Sequence, residues 1–269
     1  MKPHPSYLSH IAVRAALKAG TLLRRGFGTS FRIDQKEGKN NLVTDYDRAS
    51  EKCIIEEIRK EFPEDSFLGE EGGAVKGGEI LWIIDPIDGT VNFAHAIPCF
   101  AISIAATCNG EVLAGVVYQP MTAELFVAEK GKGAYLNGER IFVSKETTLD
   151  TALLSTGFPA KSLKGDPAHS IARFADFVEQ GISLRRFGSA AIDLSYLAAG
   201  RFDGFWEVTL QPWDIAAGQL LVEEAGGKVS QYDGTFRDLL STGPLLASNA
   251  HLHAILTSAM THVKPWRPT

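Results

Sequence analysis

The sequence predicts an α+β fold in which β-sheets pack in layers between helices. Three observations predict it. Apolar residues recur at helical spacing in two stretches before residue 63, short apolar runs separated by turns fill residues 67–143, and helical and strand-like segments alternate after residue 153. Helices with one apolar stripe and sheets with one apolar face bury those surfaces by stacking as layers.

Two amphipathic helices are expected first. One covers residues 7–25 and ends near Gly26, and the other lies before Pro63 with Asp47 near its start. In each, the apolar side chains fall on one face of the helix. These side chains are Leu8, Ile11, Ala12, Ala15, Ala19, Leu22 and Leu23 in the first helix, and Ala49, Cys53, Ile54 and Ile58 in the second.

The remaining elements follow from shorter patterns. Residues 69–79, rich in glycine and charge, are expected to form a mobile surface loop. The central segment predicts a meandering, largely antiparallel sheet with strands at 80–84, 101–108, 112–118, 125–128 and 134–143, the last folded around the turn Asn137-Gly138. Beyond it, helices are expected at about 168–180, 190–199, 214–225 and 250–260, with strands near 183–187, 203–207, 228–231 and 245–248.

Length and composition indicate an ordinary globular protein. The chain has 269 residues and no linker, so we expect a single domain, 1–269, with approximate halves 1–145 and 146–269. A net charge of −5 argues against a broad cationic surface for nucleic acid or anionic lipid. Three cysteines without metal-type spacing indicate reduced core thiols, and no segment is apolar over a membrane length. We expect a cytoplasmic protein.

The strongest chemical signal is the segment Asp85-Pro86-Ile87-Asp88-Gly89-Thr90, which follows a buried strand. The two carboxylates and the Ile87 carbonyl can converge on one volume and form an oxygen-only site suited to a hard cation. The backbone N–H groups that follow can face an anion. The alternative is that the two aspartates only end a strand in a turn, as Asp-Pro and Asp-Gly commonly do.

Other acidic residues strengthen the cation interpretation. Glu70 and Glu71 follow another short apolar run, Asp214 opens a helix, and Asp47 lies at a helix start. Each also has an ordinary role available, in a solvated loop or as an N-cap. Their joint presence at strand ends and helix starts favours one shared cleft.

Competing chemistries find little support. The histidines form no H-E-x-x-H arrangement, and His251-x-His253 is expected to be a solvated helix start rather than a zinc site. The sequence contains neither a P-loop nor a Gly-x-Ser-x-Gly elbow. Covalent nucleophilic catalysis is therefore not expected.

With these motifs in view, the chain resembles the inositol monophosphatase family, and most closely its bacterial branch. The resemblance runs through nearly the whole chain. Four blocks carry it: Lys36 with Asn41 to Asp47; Phe67 to Glu71; Trp82 to Thr90 with Asn92; and Gly188 to Ala191, Glu207, Trp213-Asp214 and Glu224 to Gly227. Asn41 departs from the aspartate common in animal members, and Lys36 is either a basic residue near the active-site mouth or an ordinary surface lysine.

The resemblance implies a layered αβαβα sandwich of the inositol monophosphatase and fructose-1,6-bisphosphatase type, a homodimer, magnesium dependence with two or three ions per subunit, and inhibition by lithium. Residue by residue, it implies four groups. Ligands of the first metal are Glu70, Asp85 and the Ile87 carbonyl, and Glu70 is also near a third ion. Ligands of the second metal are Asp85, Asp88 and Asp214. Asp47 and Thr90 activate the water, with Glu70 also catalytic, and the substrate is contacted by Asp88, Gly89, Thr90, Ala190, Glu207 and Asp214.

The expected function is therefore hydrolysis of a small polyol phosphate monoester, first of all inositol 1-phosphate. Cations would neutralise the phosphate and lower the pKa of the attacking water. Fructose bisphosphate, histidinol phosphate and adenosine 3',5'-bisphosphate remain alternative substrates, because their phosphatases share the metal core. A different class of function is partner binding, since bacterial relatives are associated with RNA polymerase and RNA processing. Arg185-Arg186 would then belong to a partner or dimer surface, or alternatively to structural ion pairs.

Overall fold

The computed structural model describes residues 4–35, 42–158 and 167–262. Its elements stack as helix, sheet, helix, sheet and helix layers, which confirms the predicted α+β sandwich. Lys36 and Asn41, which the resemblance singles out, lie outside the described residues. Among the described residues, no helix is long and apolar enough to cross a membrane.

The first helical layer consists of α1 (Pro5–Gly26) and α2 (Asp45–Arg59), both close to their predicted positions. Thr44 caps α2: its hydroxyl accepts hydrogen bonds from the N–H groups of Tyr46 and Asp47. The apolar stripe of α1 is buried against the larger sheet, in a core that includes Leu8, Ile11, Leu23, Ile54, Ile58, Trp82 and Phe93. This packing sets α2 beside the strand that carries the Asp85-Pro86-Ile87-Asp88 segment.

The larger sheet has eight strands and supplies the second layer. In spatial order they are β10 (Glu139–Ile141), β9 (Gly133–Leu136), β8 (Glu124–Glu129), β7 (Glu111–Gln119), β6 (Ala101–Cys108), β5 (Ile80–Asp88), β3 (Ser66–Gly69) and β4 (Gly73–Val75). All neighbours are antiparallel except β3 and β5. Because β3 and β5 are parallel, their carboxyl ends meet at one edge. A separate antiparallel pair, β1 (Ile33–Gln35) and β2 (Leu42–Thr44), precedes α2.

Two helices form the middle layer, α5 (Ala190–Ala198) and α6 (Pro212–Glu224). Both pack in the same core cluster as residues of the large sheet on one side and of the smaller sheet on the other. Helix α6 is apolar around much of its circumference, as a helix between two sheets must be. Its first turn, which carries Asp214, begins in this layer between the two sheets.

The smaller sheet and two outer helices complete the sandwich. The strand order is β12 (Ser183–Arg185), β11 (Leu153–Thr156), β13 (Gly204–Leu210), β15 (Gly243–Ser248) and β14 (Lys228–Ser230), with β11 parallel to both of its neighbours. The outer helices are α4 (Pro167–Glu179) and α7 (His253–Thr261). The short helix α3 (Thr90–Ala94) follows directly after β5.

Several predictions of local structure need correction. Residues 73–75 of the expected mobile loop form β4, which pairs with β3. Strand β5 does not end at Ile84 but continues to Asp88. His253 is not solvated, because it is buried with its ring nitrogens 2.9 Å and 2.8 Å from the hydroxyls of Ser230 and Ser248. The Asn137-Gly138 turn is confirmed, with positive φ at both residues.

Candidate active site

The end of β5 places two carboxylates in the interior. Asp85 is 2% exposed and Asp88 is 9% exposed. On a regular strand, residues three apart point to opposite faces of the sheet. The pairing of β5 with β6 shifts its register between Asp85 and Asp88, and the Ile87 N–H donates to Asp85 Oδ1 at 3.0 Å. This irregularity is what allows the two side chains to face one volume.

Asp214 joins them from the first turn of α6. One oxygen from each of Asp85, Asp88 and Asp214 lies within 4.8 Å of the others. The Gln211 N–H donates to Asp214 Oδ2 at 2.7 Å, and the Ser103 hydroxyl on β6 donates to the Trp213 carbonyl at 3.2 Å. Helix α6 is thus tied to the sheet at the point where its carboxylate enters the cluster.

Asp47 and Thr90 meet beside this cluster. The Thr90 hydroxyl lies 3.0 Å from Asp47 Oδ1 and also 3.0 Å from the Ile87 carbonyl oxygen. Asp47 is fully buried, and its Oδ2 accepts hydrogen bonds from the N–H and the hydroxyl of Thr44, both at 2.6 Å. A further bond, from Ser50 to the Pro86 carbonyl at 3.0 Å, ties α2 to the carboxylate-bearing strand.

Glu70 follows β3 at the edge where β3 and β5 end. Its N–H donates to the Ile84 carbonyl at 3.3 Å. The negative charge of Glu70 contributes, after burial, to raising the pKa values of Asp85, Asp88 and Asp214, although Glu70 is not part of the group of three whose oxygens lie within 4.8 Å of one another. Its neighbour Glu71 is half-buried and donates its N–H to Glu51 at 3.0 Å.

Burial and mutual repulsion shift the titration of these acids in the absence of bound cations. Burial raises the pKa of Asp47 and that of Asp88 to about 6 each. Burial, with added repulsion from neighbouring carboxylates, raises the pKa of Asp85 and that of Asp214 well above the ordinary range. Carboxylates gathered in this way need cations to hold them ionised together.

Residues of α5 and β13 also surround Asp88. Asp88 Oδ2 accepts hydrogen bonds from the Ser189 hydroxyl and the Ala191 N–H, both at 2.6 Å. Ala190 begins α5 and is buried. Glu207 lies on β13, and burial, reinforced by the charge of Asp88, raises its pKa to about 8.

Gly89 links the carboxylates to α3 in a conformation that favours glycine. Its φ is +98°, and a Cβ there would lie 3.1 Å from the Cys99 carbonyl oxygen and 3.3 Å from that of Gly188. Asn92 fixes the same surroundings by donating to the carbonyls of Cys99 and Phe187, at 2.7 Å and 2.8 Å.

Sequence reasoning missed several residues of the site. Ser189, which lies in the block Gly188 to Ala191 but was given no role, donates to Asp88, and Glu51 binds the turn that follows Glu70. Asp193 is buried on α5, and burial, with repulsion from Glu207 and Asp88, raises its pKa. Thr44 could have been found from the spacing Thr44-x-x-Asp47, which is typical of a capping box.

The donor chemistry fits a hard divalent cation. The cluster offers carboxylate oxygens and the Ile87 carbonyl, and no nitrogen or sulfur ligand contributes to the acidic group found among the described residues. Oxygen-only sets suit Mg²⁺, Ca²⁺ and Mn²⁺. The fold and this site together define a layered α+β protein with a centre of clustered carboxylates.

The comparisons with known proteins agree with that class. The profile of the inositol monophosphatase family matches residues 4–264, and the chain belongs to this family. It is 42% identical over 264 residues to the Nus factor SuhB of Pseudomonas aeruginosa, covering 95% of this chain and 97% of the relative. It is also 42% identical over 258 residues to the inositol-1-monophosphatase of Mesorhizobium japonicum, covering 95% and 96%.

Solved structures show the same fold. The extragenic suppressor protein SuhB of Bartonella henselae superposes with a TM-score of 0.88 at 39% identity, covering 95% of this chain and 99% of that one. An IMPase of Thermotoga maritima gives a TM-score of 0.85 at 37% identity, covering 93% and 95%. The layered sandwich expected from the resemblance is therefore confirmed.

Proposed function

We propose that this chain is a cytoplasmic, Mg²⁺-dependent phosphoric monoester hydrolase that acts on a small polyol phosphate, with inositol 1-phosphate as its first substrate. The observation that carries the proposal is the convergence of Asp85, Asp88 and Asp214 within 4.8 Å, with the hydrogen-bonded pair Asp47 and Thr90 beside them. A phosphate monoester is anionic and repels nucleophiles, so its hydrolysis needs charge neutralisation and an activated water at one place.

The ligand sets follow the donor positions. Glu70, Asp85 and the Ile87 carbonyl would hold a first Mg²⁺, and Asp85, Asp88 and Asp214 a second, with Glu70 also beside a weaker third ion. When bound, the ions lower the pKa of water and neutralise the phosphate and the departing alkoxide. Glu70 would be catalytic as well as ligating, because the first ion that it would help to hold supplies the activated water.

Asp47 and Thr90 supply the path for the proton. The attacking water donates to the Thr90 hydroxyl, whose own proton passes to Asp47 Oδ1 over 3.0 Å. Asp47 can accept it at neutral pH, because burial raises its pKa only to about 6 and leaves the carboxylate mostly ionised. The Thr44 bonds hold the other oxygen of Asp47, so Oδ1 remains the one that faces Thr90.

The remaining residues orient the substrate. The N–H groups of Gly89 and Thr90 would contact the phosphate, while Asp88, Ala190, Glu207 and Asp214 would surround the hydroxyl groups of the polyol. Glu207 suits adjacent hydroxyls because it comes from β13 and lies near enough to Asp88 for the charge of Asp88 to act on it. Sugar phosphates offer similar hydroxyls, so fructose bisphosphate, histidinol phosphate and adenosine 3',5'-bisphosphate belong in the test.

The test is phosphate release from inositol 1-phosphate and these three alternatives, with Mg²⁺ present and after chelation, and with Li⁺ as an inhibitor. We expect turnover of inositol 1-phosphate only with Mg²⁺, inhibition by Li⁺, and loss of turnover in Asp88→Asn. Equal turnover after chelation would contradict metal dependence. A marked preference for one of the other esters would show that this ester, and not inositol 1-phosphate, is the substrate.

A second candidate function is partner binding. Relatives from Pseudomonas aeruginosa and Escherichia coli, 42% and 45% identical, carry the name Nus factor SuhB. Arg185 and Arg186 are exposed on this chain, where a partner linked to RNA polymerase or RNA processing, or a second subunit of a homodimer, can reach them. In cells lacking the protein, rescue by Asp88→Asn would support the partner role, and failure of that rescue would support catalysis.

A further inference from the structure

Glu51 of α2 is a buried carboxylate with a specific pair of partners. The residue is 4% exposed. Its Oε2 accepts the Glu71 N–H at 3.0 Å, and its Oε1 accepts the Gly72 N–H at 2.6 Å. A buried carboxylate is costly unless it is hydrogen-bonded, and here both oxygens are satisfied by the backbone of a single turn.

That turn contains Glu70. On one side, the Glu70 N–H is bound to the Ile84 carbonyl of β5 at 3.3 Å. On the other, the next two N–H groups are bound to Glu51. Glu70 is therefore held between β5, which carries Asp85 and Asp88, and α2, which carries Asp47 one helical turn before Glu51.

The glycines of this turn leave room for the Glu51 carboxylate. A Cβ on Gly72 would lie 2.7 Å from Glu51 Oε1, and one on Gly69 would collide with the same carboxylate. The glycines that suggested a mobile loop thus leave the space in which the Glu51 carboxylate is buried.

We infer that Glu51 is a positioning residue that fixes Glu70 for binding the divalent cation at the carboxylate cluster. The inference rests on the proposed function, because it takes Glu70 to be a metal ligand. Residues that orient the ligands of a metal site commonly contribute about 10- to 100-fold to metal affinity. Glu51 would orient the metal ligand Glu70 by binding the backbone that follows it, rather than by contacting the Glu70 side chain.

Glu51→Gln tests the inference with little change in shape. The amide keeps one acceptor and turns an N–H group toward a backbone N–H, which breaks one of the two bonds. We expect about 10- to 100-fold weaker Mg²⁺ binding by calorimetry. We also expect faster amide hydrogen exchange at residues 71 and 72 in the metal-free protein, and a matching rise in the Mg²⁺ concentration for half-maximal activity, with a much smaller change in kcat at saturating Mg²⁺.

Glu56→Gln is the matched control, because Glu56 lies on the same helix with its side chain 60% exposed. A second variant, Gly72→Ala, displaces Glu51 from the side of the turn. It is paired with Gly243→Ala, where a Cβ meets nothing within 4 Å. This pair keeps the test valid if Glu51→Gln fails to fold.

The outcomes separate the two proposals. If wild-type protein binds Mg²⁺ and both Glu51→Gln and Gly72→Ala bind it as tightly as their controls, the positioning role is wrong while the proposed function stands. If wild-type protein binds no Mg²⁺, the proposed function itself fails. Weakened binding in both variants, with intact binding in both controls, supports the inference.

Discussion

The Thr90 hydroxyl lies 3.0 Å from Oδ1 of Asp47, a residue 43 positions earlier in the chain. The bond joins the start of α2 to the start of α3 at the end of β5. Because Thr44 occupies the other oxygen of Asp47 with two bonds of 2.6 Å, the carboxylate has one orientation. This arrangement gives Thr90 and Asp47 the geometry of a proton relay next to the carboxylate cluster.

Replacing Thr90 tests the relay. Thr90→Ala removes the hydroxyl, and we expect kcat for inositol 1-phosphate to fall by about 10²- to 10⁴-fold, the usual contribution of acid–base catalysis. Thr90→Ser keeps the hydroxyl and should retain most of the activity. Steady-state phosphate release at saturating Mg²⁺ measures both. A Thr90→Ala enzyme with wild-type kcat would show that no proton passes through Thr90.

Asp85→Asn should stabilise the metal-free protein. Repulsion from Glu70, Asp88, Asp214 and Asp47 opposes the charge of Asp85. The asparagine oxygen can still accept the Ile87 N–H. We expect a higher Tm in chelator, by about 2–4 °C for each kcal/mol of relieved repulsion, and no further rise with Mg²⁺.

The control for that experiment is Asp150→Asn, at an exposed residue outside the cluster. It should leave both the metal-free Tm and the rise with Mg²⁺ unchanged. A metal-free Asp85→Asn protein less stable than wild type would mean that the ionised carboxylate stabilises the fold without a cation.

Stability of the metal-free protein should fall as pH rises above about 4. The pKa values of Asp47 and Asp88 are raised from 3.8 to about 6, and that of Glu207 from 4.5 to about 8. A raised pKa means that the folded state holds protons the unfolded state has released, so the free energy of unfolding falls as pH rises from the unfolded pKa to the folded pKa. The loss spans pH 4 to about 6 for the two aspartates and continues to about 8 for Glu207.

Thermal unfolding between pH 5 and 8, in chelator and in Mg²⁺, measures this dependence. We expect Tm in chelator to decrease with pH, and the gap between the Mg²⁺ and chelator curves to widen, because cations compete with protons for the same oxygens. A gap that stays constant across this range would show that the cation does not bind these carboxylates.

Glu207 should control selectivity for polyols. Removing it in Glu207→Ala should lower kcat/KM for inositol 1-phosphate by about 2- to 10-fold, the usual effect of losing a hydrogen bond between neutral groups, because a pKa of about 8 keeps Glu207 mostly protonated near pH 7. An aryl phosphate without hydroxyls should be affected far less. Gly157→Ala should act in the same direction, because its Cβ would collide with the Glu207 carboxylate. Equal losses of kcat/KM on both substrates would show that Glu207 does not contact the polyol hydroxyls.

The elements that could be predicted from the sequence are those set by residues close together in the chain. The apolar stripe of α1, the strand before Asp85 and the Asn137-Gly138 turn all depend on neighbouring residues, and all are present. The layered stacking follows because each element has an apolar surface to bury.

The remaining features depend on contacts between distant residues. The register shift between Asp85 and Asp88 is set by pairing with β6, and the bond from Ser189 to Asp88 spans 101 residues. The turn at 70–72 has the composition of a mobile loop, yet Glu51, 20 residues away, anchors it. His253 was expected in solvent because nothing in its own helix reveals the two serines that enclose it.

Binding of inorganic phosphate to the wild-type protein, measured by calorimetry with and without Mg²⁺, tests most directly whether the carboxylate cluster binds phosphate through cations. Inorganic phosphate is a product and is not turned over, so the measurement reports binding alone. We predict binding in Mg²⁺ and none after chelation, because Asp47, Glu70, Asp85, Asp88 and Asp214 repel an anion when no cation is bound. Phosphate binding of equal affinity after chelation would contradict the metal-dependent site.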